Sequence, residues 1–289
     1  MKINPILKNE SKVGVRTFRF NLMVMLYVGI LSIVAMWAYY FINRDRNGMG
    51  IDLSNFTILN FALACGQAVL LMLIVPVLTS TSITGERERQ TLDILLSTNL
   101  SPMKIVVGKL MSTVTKVALL IVSTMPIYAI NFLVGGTSFK ELIILTIFFI
   151  STTIYVGSIG IFMSTIFKTS KSSTVASILT VIFIVIGTII IGAVMISRDY
   201  YNAISNNTIS TFKITLPFWI YINPTIEFIY ILIKQNGISH FAPNIITYMN
   251  LNKIFIISLI NQGIVTVLLI LLSAWRLNPV RKSIIKVRR

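Results

Sequence analysis

The sequence is short of charged residues, and acidic residues are the scarcest. Only 12% of its 289 residues are charged, and nine Asp and Glu stand against 25 Lys and Arg. Hydrophobic residues make up 55% of the chain, and the mean hydropathy is +0.84. A water-soluble domain of this length needs more polar surface to cover its core. The composition therefore predicts an integral membrane protein.

Histidine, cysteine and nucleotide-binding motifs are also nearly or wholly missing. The chain has one histidine (His240) and one cysteine (Cys65), which are too few for a disulfide framework, a Cys/His metal site or a His-Glu-x-x-His protease. The phosphate-loop pattern Gly-x-x-x-x-Gly-Lys-Ser/Thr does not occur, because Gly108-Lys109 lacks both the first glycine and the hydroxyl residue. We therefore predict no catalytic residue, no metal site and no cofactor bound by this chain.

The net charge of +16 raises the question of nucleic-acid binding. Its distribution argues against that function, because the basic residues lie between apolar blocks and at both ends of the chain. There they orient helices and contact anionic lipid headgroups. We predict a lipid membrane, and no nucleic acid, as the partner of this charge.

The apolar blocks predict an all-α fold with six transmembrane helices. Each block has the roughly 20 apolar residues that cross a hydrocarbon core about 30 Å thick, and backbone groups in lipid must be satisfied within a helix. The predicted spans are residues 20–42, 57–83, 111–134, 142–167, 174–196 and 254–277. We expect residues 1–289 to form a single transmembrane domain.

The Lys and Arg distribution predicts that both termini lie in the cytoplasm. With the N-terminus inside, 18 of the 25 basic residues fall in cytoplasmic segments and 7 in outer ones, as the positive-inside rule requires. The abundance of Ile, Lys and Asn suggests a bacterial source and hence the bacterial plasma membrane.

Two segments outside the spans are also apolar in part. Residues 1–19 alternate apolar and basic side chains, which fits an interfacial helix and a disordered basic lead-in about equally well. Residues 197–253 form the predicted outer segment between the last two spans. Within it, residues 214–233 contain Pro217, Pro224 and Glu227, which predicts one or two short helices that dip in from the outer face.

The most informative stretch is the polar connection at residues 85–109, between the second and third spans. Read as a helix, it places Leu92, Leu95 and Leu96 on one face and lets Arg89 pair with Asp93 one turn later. Ser101-Pro102 then interrupts it. An exposed leucine ridge must lie on lipid headgroups or fit a groove of a partner, and the pattern leaves both open.

The stretch resembles the signature of ABC-2-type transporter permeases, Glu-Arg-Glu-x-x-Thr-Leu-(Asp/Glu)-x-Leu-Leu followed by Ser-Pro and Gly-Lys. The matching residues are Glu86, Arg87, Glu88, Thr91, Leu92, Asp93, Leu95, Leu96, Ser101, Pro102, Gly108 and Lys109. Relatives often have glycine at the position of Gln90, which is expected to be compatible with a helix, and proline at that of Asn99, which is expected to loosen the turn after this helix. The six spans, the internal termini, the basic N-terminal segment and Asn223-Pro224 in the outer hairpin resemble the family as well.

The resemblance implies a function. Residues 85–102 would form a coupling helix that docks into a separate ATP-binding subunit, which carries the ATP and Mg²⁺. The implied docking residues are Glu86, Arg87, Glu88, Arg89, Thr91, Leu92, Asp93, Leu95 and Leu96, and residues 1–19 would be the connecting helix. Because six spans are few for a self-contained carrier, we expect a homodimer or heterodimer of permease chains that exports a substrate.

Polar residues inside the predicted spans are candidates for the transport pathway, and they serve equally well as interhelical contacts. They are Asn60, Gln67, Tyr155, Asn261 and Gln262. Gly157 and Gly160 are expected to permit close helix approach.

Two other functions stay open. One is a non-transporting membrane anchor or sensor that recruits a cytoplasmic partner. The other is an ion-coupled secondary transporter, which the absence of ionisable residues near span centres disfavours.

Overall fold

The computed structural model describes residues 17–44, 53–97, 100–133, 138–205, 218–236 and 251–278, and in this part of the chain all regular structure is helical. The α-helices are α1 (Phe18–Arg44), α2 (Leu53–Glu88), α3 (Leu92–Ser97), α4 (Pro102–Leu133), α5 (Phe139–Ile166), α6 (Ser170–Ile182), α7 (Thr188–Ser205), α8 (Pro224–Asn236) and α9 (Leu251–Leu277). A π-helical turn (Phe183–Gly187) joins α6 to α7, and a 3-10 helix (Phe218–Ile222) precedes α8.

The described residues contain six helices that are long and apolar enough to cross a membrane, which confirms the predicted number. They run over Phe18–Phe41, Ile58–Glu88, Pro102–Leu133, Phe139–Ile166, Ser170–Asp199 and Phe255–Leu277. The helices α2 and α4, with 36 and 32 residues, are longer than the predicted spans. At 1.5 Å per residue α2 measures about 54 Å, so part of it extends beyond a hydrocarbon core of about 30 Å.

Several predicted features lie outside the described residues. Most of the interfacial segment 1–19, Asn99, and much of segment 197–253 belong to this group. The described part of 214–233 forms the 3-10 helix and α8, whose 13 residues are too few to span a membrane.

The chain divides into two compact units, Met1–Ile178 with Thr266–Arg289 and Leu179–Val265. In the first unit α2 packs most extensively against α5, at a point where glycine is required. A Cβ atom on Gly160 would overlap the side chain of Thr79 and lie 3.3 Å from the backbone nitrogen of Ser80. One turn later the Ser164 hydroxyl accepts hydrogen bonds from the backbone N–H groups of Ile83 (2.9 Å) and Thr84 (3.0 Å). The prediction that Gly160 allows close helix approach is confirmed.

The second unit is organised around Asn223, directly before α8. Its side-chain amide donates to the Val185 carbonyl (3.0 Å), in the π-helical turn, and to the Thr188 hydroxyl (2.7 Å). Its Oδ1 accepts from the backbone N–H of Thr225 (2.8 Å), which caps the start of α8. Pro224 is the first residue of α8, where a proline loses no helical hydrogen bond. This geometry gives Asn223-Pro224 a structural role.

Candidate functional site: the connection between α2 and α4

The predicted helix over 85–102 is not continuous. The helix α2 runs to Glu88, residues 89–91 form a turn, and α3 begins at Leu92. Gln90 has φ 59°, a left-handed conformation that suits glycine and costs other residues about 1 kcal/mol or more. The turn changes the direction of the chain, so the side chains of α3 do not continue the faces of α2. The expectation that Gln90 continues a helix is wrong, and its left-handed conformation explains why glycine suits this position.

Glu86 links the turn to α4. A carboxylate oxygen of Glu86 lies 3.2 Å from the Lys109 ammonium nitrogen, whose side chain is 3% exposed. Its other carboxylate oxygen accepts a hydrogen bond from the Thr91 hydroxyl. The Thr91 backbone N–H also donates to the Glu86 carbonyl (2.9 Å). The α2 terminus, the turn and α4 are therefore held by one carboxylate.

The next two residues contact the connection between α5 and α6. The Arg87 guanidinium donates to the Phe167 carbonyl, at the C-terminal cap of α5. The Glu88 carboxylate accepts from the backbone N–H (2.6 Å) and the hydroxyl (2.7 Å) of Ser170, the first residue of α6. An acidic group at a helix N-terminus is favourable because the N–H groups there lack helical partners. Glu86, Arg87 and Glu88 thus bind neighbouring helices of the same chain.

Leu92 anchors the six-residue helix α3. It is 5% exposed and belongs to a core cluster with Val106 and Leu110 of α4, against which Leu96 also packs. The remaining members of the cluster lie on α2, α5 and α9: Ile83, Ile161 and Leu277. Burial of one leucine side chain contributes about 1.5–3 kcal/mol, which holds α3 to the helix bundle of this unit.

The opposite face of α3 is exposed. Ile94 is 68% exposed, Asp93 and Ser97 are exposed, and Leu95 is half-buried. An isolated apolar side chain at a protein surface is common, but Ile94 lies on a short helix that Leu92 and Leu96 pack against the core of this unit. The exposed residues Asp93, Ile94 and Ser97, with the half-buried Leu95 at the edge toward Leu92, are called the α3 surface.

Two details of the predicted site are wrong. Leu92 is not part of an exposed ridge, because the turn at Gln90 shifts the phase of α3 and directs Leu92 into the core. Among the described residues, Arg89 and Asp93 do not form an ion pair with one another. The turn at Gln90 interrupts the helix between them, so they are not neighbours on one helical face.

The structure also places residues that the sequence pattern did not assign to the site. Lys109, Phe167 and Ser170 are the partners of Glu86, Arg87 and Glu88. Gly108-Lys109 belongs to the signature, so a partner for one acidic residue was present in the pattern. Ser170 and Phe167 are about 80 residues away from their partners, and no local pattern indicates such pairs.

Four of the five pathway candidates are buried. In the first unit Gln67 lines a small cavity together with Thr124, Tyr128 and Thr146, whereas Asn60 and Tyr155 do not line it. The cavity is about the size of one water molecule. In the second unit Gln262 donates to a carboxylate oxygen of Glu227 (2.9 Å), and Asn261 is half-buried.

Comparisons with known proteins agree with this architecture. The model of a family described as "ABC-2 family transporter protein" matches residues 4–278, nearly the whole chain. No curated protein matches the sequence. The family match covers all the described helices, including the connection between α2 and α4.

Proposed function

Since this multi-pass membrane chain belongs to the ABC-2 family of transporter proteins, we propose that it is the permease subunit of an ATP-driven exporter. The ATPase is a separate polypeptide, because the chain lacks the phosphate loop that would hold ATP and Mg²⁺. The single observation that carries this proposal is that α3, in the family's signature segment, is anchored in the core by Leu92 and exposes Ile94 on its other side.

The α3 surface is the docking site for the ATPase. Ile94 is the exposed anchor, and Leu95 and Ser97 flank it. Apolar anchors surrounded by polar groups typically dominate the binding free energy of such interfaces. Of the docking residues implied by the family resemblance, we assign direct contact to Asp93, Ile94 and Leu95. Arg89, in the exposed turn, is a further candidate.

Glu86, Arg87, Glu88 and Thr91 transmit the movement of the docked helix. They join the α2–α3 connection to α4, to the end of α5 and to the start of α6. When the ATPase closes around nucleotide, force on α3 acts on four helices at once. A rigid-body displacement of this kind changes access to a transport pathway.

A second permease chain completes the transporter. The cavity that Gln67 lines in the first unit has room for about one water molecule, which is too small for a substrate. A dimer, of this chain or with a related permease, supplies a pathway between the two subunits. The buried polar candidates Asn60, Gln67 and Tyr155 then act mainly in helix packing.

The distribution of Lys and Arg orients the subunit. With 18 of 25 basic residues on one side, the termini and α3 face the cytoplasm, where ATP is available. The segment with α8 faces outward, and the protein resides in a bacterial plasma membrane.

The experiment that tests this proposal is purification of the full chain from its native membrane in mild detergent, with identification of the proteins that accompany it. We expect a phosphate-loop ATPase in about a one-to-one ratio. A folded chain that carries no ATPase would contradict the proposal. A different cytoplasmic partner would favour an anchor, and gradient-dependent transport without ATP would favour a secondary carrier.

A further inference from the structure

Glu227 is the one fully buried carboxylate among the described residues. It lies in the first turn of α8 and has no exposed surface. One carboxylate oxygen, Oε2, accepts a hydrogen bond from the Gln262 side chain of α9 at 2.9 Å. The other, Oε1, is buried and has no hydrogen-bond partner in the described part of the chain. A buried ionised carboxylate is costly unless it is paired, so one amide donor is poor compensation.

No cation compensates this charge in the described part of the unit. Gln262, Ser258 and Asn261 are neutral, and Ser258 lies on the face of α9 that also carries Gln262, because four residues separate them. The Ser258 hydroxyl is likewise buried and has no partner among the described residues. Lys234 is exposed and donates to the Tyr230 hydroxyl (3.3 Å). None of the other titratable side chains that the structure describes in this unit contributes a hydrogen bond or a charge interaction to Glu227: Arg198, Asp199, Tyr201, Tyr221 and Tyr230.

We propose that Glu227 is a proton-binding site that joins α8 to α9 in its protonated form. The proton resides on Oε1, and Oε2 acts as the carbonyl oxygen that accepts from Gln262. Both helices then meet through neutral groups, as an apolar environment requires. When the proton leaves, the charge must reach water or a cation, which separates α8 from α9 at this contact. The inference concerns the second unit alone and does not depend on coupling to an ATPase.

Burial raises the pKa of the Glu227 carboxyl from 4.5 to about 7, and the hydrogen bond from Gln262 opposes the shift in part. The folded protein therefore holds a proton that the unfolded chain releases. Between about pH 4.5 and about pH 7 the folded state binds more protons, so stability declines as the pH rises through this range. The contribution of the bound proton to the stability of the folded state is fully present below about pH 4.5.

The direct test is infrared spectroscopy of the purified full chain and of Glu227→Gln, in which an amide replaces the protonated acid. At about pH 5.5 the difference between the two spectra should contain the C=O band of a protonated carboxylic acid. At about pH 9 this band should be gone. If the band is missing at the lower pH, Glu227 is ionised in the folded protein and the proposal fails.

Thermal unfolding gives an independent test over the same pH range. The melting temperature of the wild-type chain should decrease by several degrees as the pH rises through about 7, and Glu227→Gln should lose this dependence. Glu141→Gln is the matched control, because it removes a carboxylate at the start of α5 and should keep the wild-type profile. An unchanged pH profile in Glu227→Gln would overturn the proposal.

Gln262→Leu supplies a third variant in case Glu227→Gln does not fold. It removes the donor that favours the ionised carboxylate, so the infrared band should persist to higher pH than in the wild type. A shift toward lower pH would contradict the assignment of this proton to Glu227.

Discussion

The ammonium nitrogen of Lys109 lies 3.2 Å from a carboxylate oxygen of Glu86 and ties the end of α2 to α4. The two residues are 23 positions apart, and both belong to the family signature. Because the Lys109 side chain is 3% exposed and that of Glu86 31% exposed, the pair is only partly accessible to water and ions. It is therefore screened less by salt than a surface ion pair.

Loss of this ion pair should destabilise the protein. Glu86→Gln removes the carboxylate and its charge, and we expect a loss of about 1–3 kcal/mol, seen as a lower melting temperature in detergent. Glu86→Gln combined with Lys109→Met should recover part of that loss, because the buried charge is gone too. Strict additivity of the two single variants would show that the residues do not interact.

Gln90→Gly should stabilise the turn between α2 and α3. Glycine adopts φ 59° without steric cost, so we expect a gain of about 0.5–1 kcal/mol in unfolding free energy. Gln90→Val should lose a similar amount or more, since a β-branched side chain tolerates this conformation poorly. Equal stabilities for the glycine and valine variants would mean that the left-handed turn does not form.

Gly160→Ala should destabilise the contact between α2 and α5. The added methyl group meets Thr79 and the backbone of Ser80, and we expect a loss of about 1–3 kcal/mol. Gly29→Ala is the matched control, because nothing lies within 4 Å of its added Cβ. There the change should be neutral or stabilise α1 by up to about 1 kcal/mol. A similar loss in both variants would contradict close packing at Gly160.

The six spans could be predicted because hydropathy alone determines which segments enter lipid. The length of the apolar blocks fixed their number, and the glycine pair in α5 indicated where helices approach closely. The ends of the helices were harder to predict from the sequence. The extension of α2 to Glu88 depends on polar contacts to α4, α5 and α6. The hydropathy of a segment does not indicate such contacts.

The arrangement of the signature segment could not be predicted for a different reason. A single residue, Gln90, adopts a left-handed conformation that its side chain does not indicate. All side chains after it therefore change direction, which moves Leu92 into the core and leaves Ile94 exposed. The one indication in the sequence was that related proteins often have glycine at this position. The sequence indicated the buried carboxylate of Glu227 only weakly, as a lone acidic residue in an apolar stretch.

The most direct test of the coupling account is the ATPase activity and ATPase binding of complexes that carry Ile94→Glu. A carboxylate on the α3 surface should abolish binding of the ATPase or reduce it at least about 100-fold, equivalent to about 2.7 kcal/mol. Ile94→Leu keeps an apolar anchor of the same size and is the matched control. It should bind normally, and both variants should melt at the wild-type temperature. Normal binding and normal coupled ATP hydrolysis by Ile94→Glu would show that the α3 surface is not where this subunit meets its ATPase.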